Sequence, residues 1–438
     1  MRTMKKKLAV LVGVFLIFAI GTVIYLHLDF YSIPDSGLLL DGTYSEMNED
    51  AFHKYINLQV DHNDPSKGQF RGFYLLSPSF YDSKNITFVL TDGQMELVTT
   101  RTDFGFFDEI LGPGSYVLMG VRGHSPTYLS DVYKNGLVNF EAALDLYSSA
   151  QQVEDIEQVR LEMVKNGTLE PGRKINIFGA SGAGVLAQQY ISKYSTNVNR
   201  VILESTGAPD LSKALGIKYS PDLKEFNPDV AASLEEILKA GSADRSAIAN
   251  ILYQLGRTSM TPRESQTQLL DELKKGSWML RYRLDPKYNL SVLNYLVKSP
   301  RTIAARVRWF ELVGLDLLEY DPEEGINLLY EISMVALSDF VERYRKSGQS
   351  PAGLYVKRDF LGEVLILKGT EDVVFGDEIN RKLQQAYPNA RLLFFKDGHR
   401  MQNDKEKYRK LRVSFFDKGF ASEMIVAEQA AANNLIDN

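Results

Sequence analysis

A serine in the centre of Gly179-Ala180-Ser181-Gly182-Ala183-Gly184 is the residue best placed to do chemistry in this chain. A strand-like run, Lys174 to Phe178, leads into it, and a helix-like run, Val185 to Ile191, leads out. A sharp turn of small residues between strand and helix holds a serine in a strained conformation with its hydroxyl exposed. The backbone passes close to itself two residues before and two after, where Gly or Ala fits. Gly179 and Ala183 stand at those positions. A serine hydroxyl is a weak nucleophile at neutral pH, so it needs a base within reach, and the base needs a carboxylate to orient it. Of the five histidines, His27, His53, His62 and His124 precede Ser181 and only His399 follows it. In the order serine, acid, histidine, His399 is the base, in a Gly-His turn directly after the strand-like Arg391–Phe395. The acid is expected to end the preceding strand, where Gly369-Thr370-Glu371-Asp372 supplies Asp372. Glu371 is read as a solvated charge, and Glu204, ending the strand after the serine turn, is a rarer alternative place for the acid.

An oxyanion formed at such a serine needs two backbone N–H donors. The residue after the nucleophile, Gly182, supplies one at a helix N-terminus, where the dipole helps. The loop after the strand Ile86–Leu90 should supply the other, and the N–H of Gln94 in Asp92-Gly93-Gln94 is the candidate.

These side chains must be positioned by a larger framework. Apolar strand-like runs at Asn85–Leu90, Ser115–Met119, Ile175–Phe178 and Arg200–Glu204, separated by helical segments, predict a parallel sheet covered on both faces. Ile56–Val60 and Gln69–Leu76 flank a turn and predict an antiparallel pair before it. After Glu204 the rhythm stops, and residues 210–360 read almost wholly as helices. Ser181 and Asp372 stand 191 residues apart, whereas two βα units need only about 60 to 80. The surplus is read as an inserted helical cap over the catalytic edge, excluding water and shaping the pocket. The expected fold class is α/β, an α/β-hydrolase. Its core spans 51–209 and 361–420, its cap 210–360, and an Ala/Asn-rich, frayed tail 421–438.

Composition narrows the possible functions. With 438 residues, the chain can form one large α/β domain with an insertion. A net charge of −6 and no long basic run beyond the N-terminus argue against a nucleic-acid partner. The absence of cysteine removes disulfides, thiolate catalysis and thiolate metal sites. No H-x-x-x-H pair occurs, so neither a metal site of the usual zinc spacing nor any cofactor is expected. Arg2, Lys5, Lys6 and Lys7 precede 19 uncharged residues, Leu8 to Leu26. That length, roughly 28 Å as a helix, approaches a bilayer core. Residues 1–28 therefore read as an uncleaved signal anchor or a cleaved signal peptide, and 29–50 as a tether with an apolar patch at Leu38–Leu40. The basic flank predicts a cytoplasmic N-terminus and an exported catalytic domain.

From about Ile56 to Phe416 the chain resembles α/β-hydrolases of the prolyl aminopeptidase and tripeptidyl aminopeptidase type. The resemblance rests on Gly179–Ala187, Val121-Arg122-Gly123-His124-Ser125, Gly369-Thr370-Glu371-Asp372, Gly398-His399 and Val60–Pro65. Departures occur at Asp92–Glu96, where such proteins carry His-Gly-Gly-Pro-Gly, at Gly120, and at Gly182, where an aromatic is common. The resemblance implies cleavage of short peptides from the N-terminus, with carboxylates holding the substrate's α-ammonium. Glu204 is the carboxylate best placed for that role. The same triad serves a carboxylesterase or lipase, and the fold also occurs in non-catalytic binding proteins, so these readings stay open.

Overall fold

A computed structural model describes residues 2–26, 47–124, 128–134, 137–240, 244–275, 295, 298–348, 354 and 356–436. Most of the expected tether, including Leu38–Leu40, and Ser125 of the Arg-Gly-His loop lie outside the described residues.

The sheet follows from eight short apolar segments: β1 (His53–Gln59), β2 (Gln69–Leu76), β3 (Thr87–Leu90), β4 (Tyr116–Met119), β5 (Ile175–Ala180), β6 (Val198–Glu204), β7 (Glu363–Gly369) and β8 (Ala390–Phe395). Their spatial order is β1-β2-β4-β3-β5-β6-β7-β8. β1 pairs antiparallel with β2 and β2 with β4; every other neighbour is parallel. This order, with crossover helices on both faces and a small-residue turn after β5, is the α/β-hydrolase fold.

Side-chain alternation along the strands feeds two cores. On one face Ile177, Val201, Leu203, Val364 and Ile366 pack with Ile156, Leu186, Tyr190 and Leu383. On the other, Phe178, Ile202, Leu365, Leu367 and Leu393 pack with Phe107, Leu411 and Phe415. Among the described residues, the segment between β6 and β7 carries helices joined by turns and no strand. It includes α5 (Pro228–Lys239), α6 (Arg245–Thr258), α7 (Pro262–Lys274), α8 (Ile303–Glu319), α9 (Leu328–Ala336) and α10 (Ser338–Ser347); the helices before it include α1 (Arg2–Leu26), α2 (Gly105–Leu111), α3 (Ser149–Lys165) and α4 (Gly182–Tyr194). Leu252, Ile303 and Phe310 share a third core with Tyr147, Val373, Val374 and Phe375. This core joins the helical segment to the loops that leave the sheet.

Two terminal regions differ in character. Residues 421–438, expected as a frayed tail, carry a helix, Glu423–Ile436. It is held because Ile425 is fully buried in the second core and Lys407 pairs with Glu428 at 3.0 Å. At the other end, α1 presents apolar side chains outward, with Leu11 70%, Phe15 70%, Ile17 73% and Phe18 75% exposed. Among the described residues no helix is long and apolar enough to cross a membrane, and the side chains described on α1 run only from Leu11 to Ile24.

Candidate active site

The turn between β5 and α4 is built by close backbone approach. A β-carbon on Gly179 would lie 2.4 Å from the carbonyl oxygen of Ala183. One on Gly184 would lie 2.5 Å from Thr206 Oγ1. Ala183 itself is tolerated, so the demand for glycine falls one residue later than expected. The compression puts Ser181 at φ 55°, ψ −127°, a conformation disfavoured for any L-residue. The surroundings hold it there: Ser181 N–H donates to the Glu204 carbonyl at 2.9 Å, and the Ser181 carbonyl accepts from Thr206 Oγ1 at 2.7 Å.

Three loops at the carboxyl ends of β5, β7 and β8 then converge. Ser181 Oγ and His399 Nε2 are 3.1 Å apart, and His399 Nδ1 and Asp372 Oδ1 are 3.0 Å apart. Asp372 accepts at Nδ1–H, which fixes the tautomer and leaves Nε2 to accept the serine proton. Phe375 packs 5.6 Å from the imidazole, centroid to centroid. Asp372 is ionised despite its position. Burial acts to raise its pKa, but Lys368, the His399 charge and hydrogen bond, and the Val374 N–H outweigh it, and the carboxyl falls well below the usual range.

Lys368 is a member of this site that sequence reasoning missed. Its side chain is wholly buried, with Nζ 3.5 Å from Asp372 Oδ2, 3.5 Å from Asp377 Oδ1, and donating to the Gly369 carbonyl at 2.7 Å. Asp372 Oδ2 makes no hydrogen bond, so this cation is its principal compensation. The signal was a lysine directly after the apolar run Val364–Leu367, four residues before the acid.

Two expectations need correction. Gln94 N–H does stand after β3, but it donates at 3.1 Å to Oδ1 of Asp92, whose Oδ2 accepts from Gln94 Nε2 at 2.6 Å. The Asp92 carboxylate also lies against Gly182, where a β-carbon would come within 1.8 Å of Oδ2. Gln94 is therefore not a free oxyanion donor here, because a short acidic side chain two residues earlier captures its N–H in an Asx turn. Gly182 keeps its place as the first residue of α4, where helix N–H groups have no intrahelical partner. Its Cα is covered by a carboxylate, which explains why glycine rather than an aromatic follows the nucleophile. Around Asp92, Arg308 Nε donates to its carbonyl at 3.0 Å, and Tyr295 donates its hydroxyl to the Gln94 carbonyl.

Glu204 is the second correction. Both of its oxygens accept from Arg412, at 2.7 and 2.9 Å, in a buried bidentate pair. The carboxylate is thus neutralised beneath the sheet and is free neither to act as the triad acid nor to hold an ammonium group. Its partner lies 208 residues away, so no local pattern reveals it. Among the described residues no group of three or more His, Cys, Asp or Glu side chains is arranged to hold a metal ion.

No protein-family model matches the chain, and no curated protein matches it. Solved structures with a similar fold include an esterase from Exiguobacterium antarcticum, at 14% identity over 79% of this chain and 96% of that one, TM-score 0.40. Another is a bromoperoxidase from Bacillus anthracis, at 13% identity over 83% and 100%, TM-score 0.40. A third is a meta-cleavage product hydrolase from Pseudomonas fluorescens IP01, at 14% identity over 83% and 94%, TM-score 0.35. At these identities and scores the likeness carries no information on substrate.

Proposed function

We propose that this protein is a serine hydrolase that forms an acyl-enzyme on Ser181. The observation that carries the reading is the unbroken relay from the strained Ser181 to His399 at 3.1 Å and on to Asp372 at 3.0 Å. His399 Nε2 takes the Ser181 proton as Oγ attacks a carbonyl carbon. Asp372 stabilises the imidazolium, and the same Nε2 then gives its proton to the departing group. Water repeats the sequence on the acyl-enzyme. The Gly182 N–H, at the first position of α4, is the donor this reading assigns to the developing oxyanion.

Within that chemistry, the reading carried forward is hydrolysis of short peptides from the N-terminus, with ester hydrolysis as the alternative on the same triad. What favours the peptide reading is Asp92, a carboxylate beside the nucleophile whose oxygens accept from the neutral Gln94 side chain and backbone. It takes over the ammonium-holding role that Glu204 cannot fill. We also propose export and anchoring through the N-terminal helix, supported by the basic flank and by the apolar side chains α1 leaves exposed on all sides.

Fluorophosphonate labelling of the wild type, lost in Ser181→Ala, tests the hydrolase. Side-by-side turnover of an aminoacyl p-nitroanilide and p-nitrophenyl acetate separates the substrate classes: ester turnover alone rejects the peptidase. Release of the protein from cell membranes by salt without detergent rejects the anchor.

A further inference from the structure

The loop after β3 is held by its carbonyls. Gln152 of α3 donates Nε2 to the Thr91 carbonyl at 2.6 Å, and Arg308 of α8 donates Nε to the Asp92 carbonyl at 3.0 Å. His124, in the loop after β4, has Nε2 at 2.5 Å from the Gly93 carbonyl, and Tyr295 donates its hydroxyl to the Gln94 carbonyl. Consecutive carbonyls from Thr91 to Gln94 are thus met by side chains from separate stretches of chain. A carbonyl oxygen can only accept, so Nε2 of His124 carries a proton.

Across a trans peptide the carbonyl and the next N–H point in opposite directions. The Gly93–Gln94 peptide is therefore gripped from both sides, its oxygen by His124 and its N–H by Asp92 Oδ1 at 3.1 Å. Gly93 sits at φ 80°, and glycine admits either sense of φ with little strain. That freedom lets the peptide turn over, and the His124 bond selects one orientation. Turned over, the peptide would present an oxygen instead of a donor to the Asp92 carboxylate.

His124 is itself firmly carried. Two residues earlier, buried Arg122 makes a bidentate pair with Asp155, 2.6 Å at each bond, and donates to the carbonyls of Gln59, Val60 and Leu146. His62 Nε2 stands 2.8 Å from the same carboxylate. A β-carbon on Gly123 would collide with Ala304. Val60 to His62 and Arg122 to His124 take no part in the triad, yet they converge on the placement of one imidazole.

We propose that His124 is a positioning residue for Asp92: its bond to the Gly93 carbonyl keeps the Gln94 N–H on the carboxylate, and the carboxylate beside the nucleophile, where it meets the substrate's α-ammonium. The inference rests on the peptide reading, in which Asp92 binds that ammonium.

Two esters with one leaving group test it. Alanine p-nitrophenyl ester and p-nitrophenyl propionate share an acyl skeleton and differ in the α-amino group, which is protonated at about pH 6. The ratio of their kcat/KM values in each variant is compared with the wild-type ratio, so ester reactivity and the amount of folded protein cancel. Asp92→Asn should lower the ratio by about tenfold or more, the scale of a hydrogen bond to a charged group. His124→Leu, with no donor, and His124→Asn, whose donor is too short to reach, should each lower it by about threefold or more, the scale of one neutral bond. His124→Gln, which returns an N–H near the Nε2 position, should stay within about twofold of wild type. Loss of the ratio in Asp92→Asn with retention in both His124→Leu and His124→Asn overturns the proposal, as does His124→Gln falling as far as His124→Leu. An unchanged ratio in Asp92→Asn is failure of the peptide reading itself, and this inference falls with it.

Discussion

Replacing Lys368 by methionine removes a buried cation under the triad's acid while nearly keeping the volume of the side chain. Nζ is 3.5 Å from Asp372 Oδ2, and both side chains are fully buried. At an effective dielectric constant of about 20, two unit charges at that distance attract by roughly 5 kcal/mol. Breaking such a pair from one side typically costs about 3–5 kcal/mol, because a charge is left without compensation. Lys368→Met should therefore lose about that much stability in urea titration at pH 7. The sign with pH follows from Asp372. Its folded-state pKa lies far below its unfolded value, so the stabilisation is present above about pH 4 and is lost as pH falls through the folded pKa. In the variant that loss should begin at higher pH, so the acid limb of stability against pH should move up. Lys368→Met with Asp372→Asn removes both charges and should recover most of the stability without recovering activity. A single variant within about 1 kcal/mol of wild type, with an unshifted acid limb, refutes the reasoning.

Ser181→Ala should abolish fluorophosphonate labelling and reduce ester turnover by at least about 10³-fold, with the circular dichroism spectrum unchanged. Gly182→Ala should impair turnover by about tenfold or more, since the new methyl meets the Asp92 carboxylate; Asp92→Ala in the same chain should restore part of it, and steady-state kinetics of the pair decide the point. Arg412→Met should destabilise the fold by about 3–5 kcal/mol in denaturant titration by leaving Glu204 buried and unpaired, without selectively raising KM for substrates bearing a free α-amino group.

How far the chain could be read before folding depended on the range of the forces involved. Ser181 was legible because a strand, a small-residue turn and a helix are local patterns. Scarcity made His399 legible, since no other histidine follows the serine. The succession of strands along the chain and the helical character of the stretch between Glu204 and Glu363 were legible from periodicity; the order of the strands in the sheet was not. The tertiary structure decided the partners of charges. Arg412 reaches Glu204 across 208 residues, and Arg308 reaches the Asp92 carbonyl across 216. Even Asp92, two residues from Gln94, withheld its role, because a side-chain turn and an open loop have the same composition. A chain's pattern determines which faces are apolar and where the backbone must bend. Which carboxylate meets which cation is settled only when packing brings distant segments together and burial makes each unpaired charge costly.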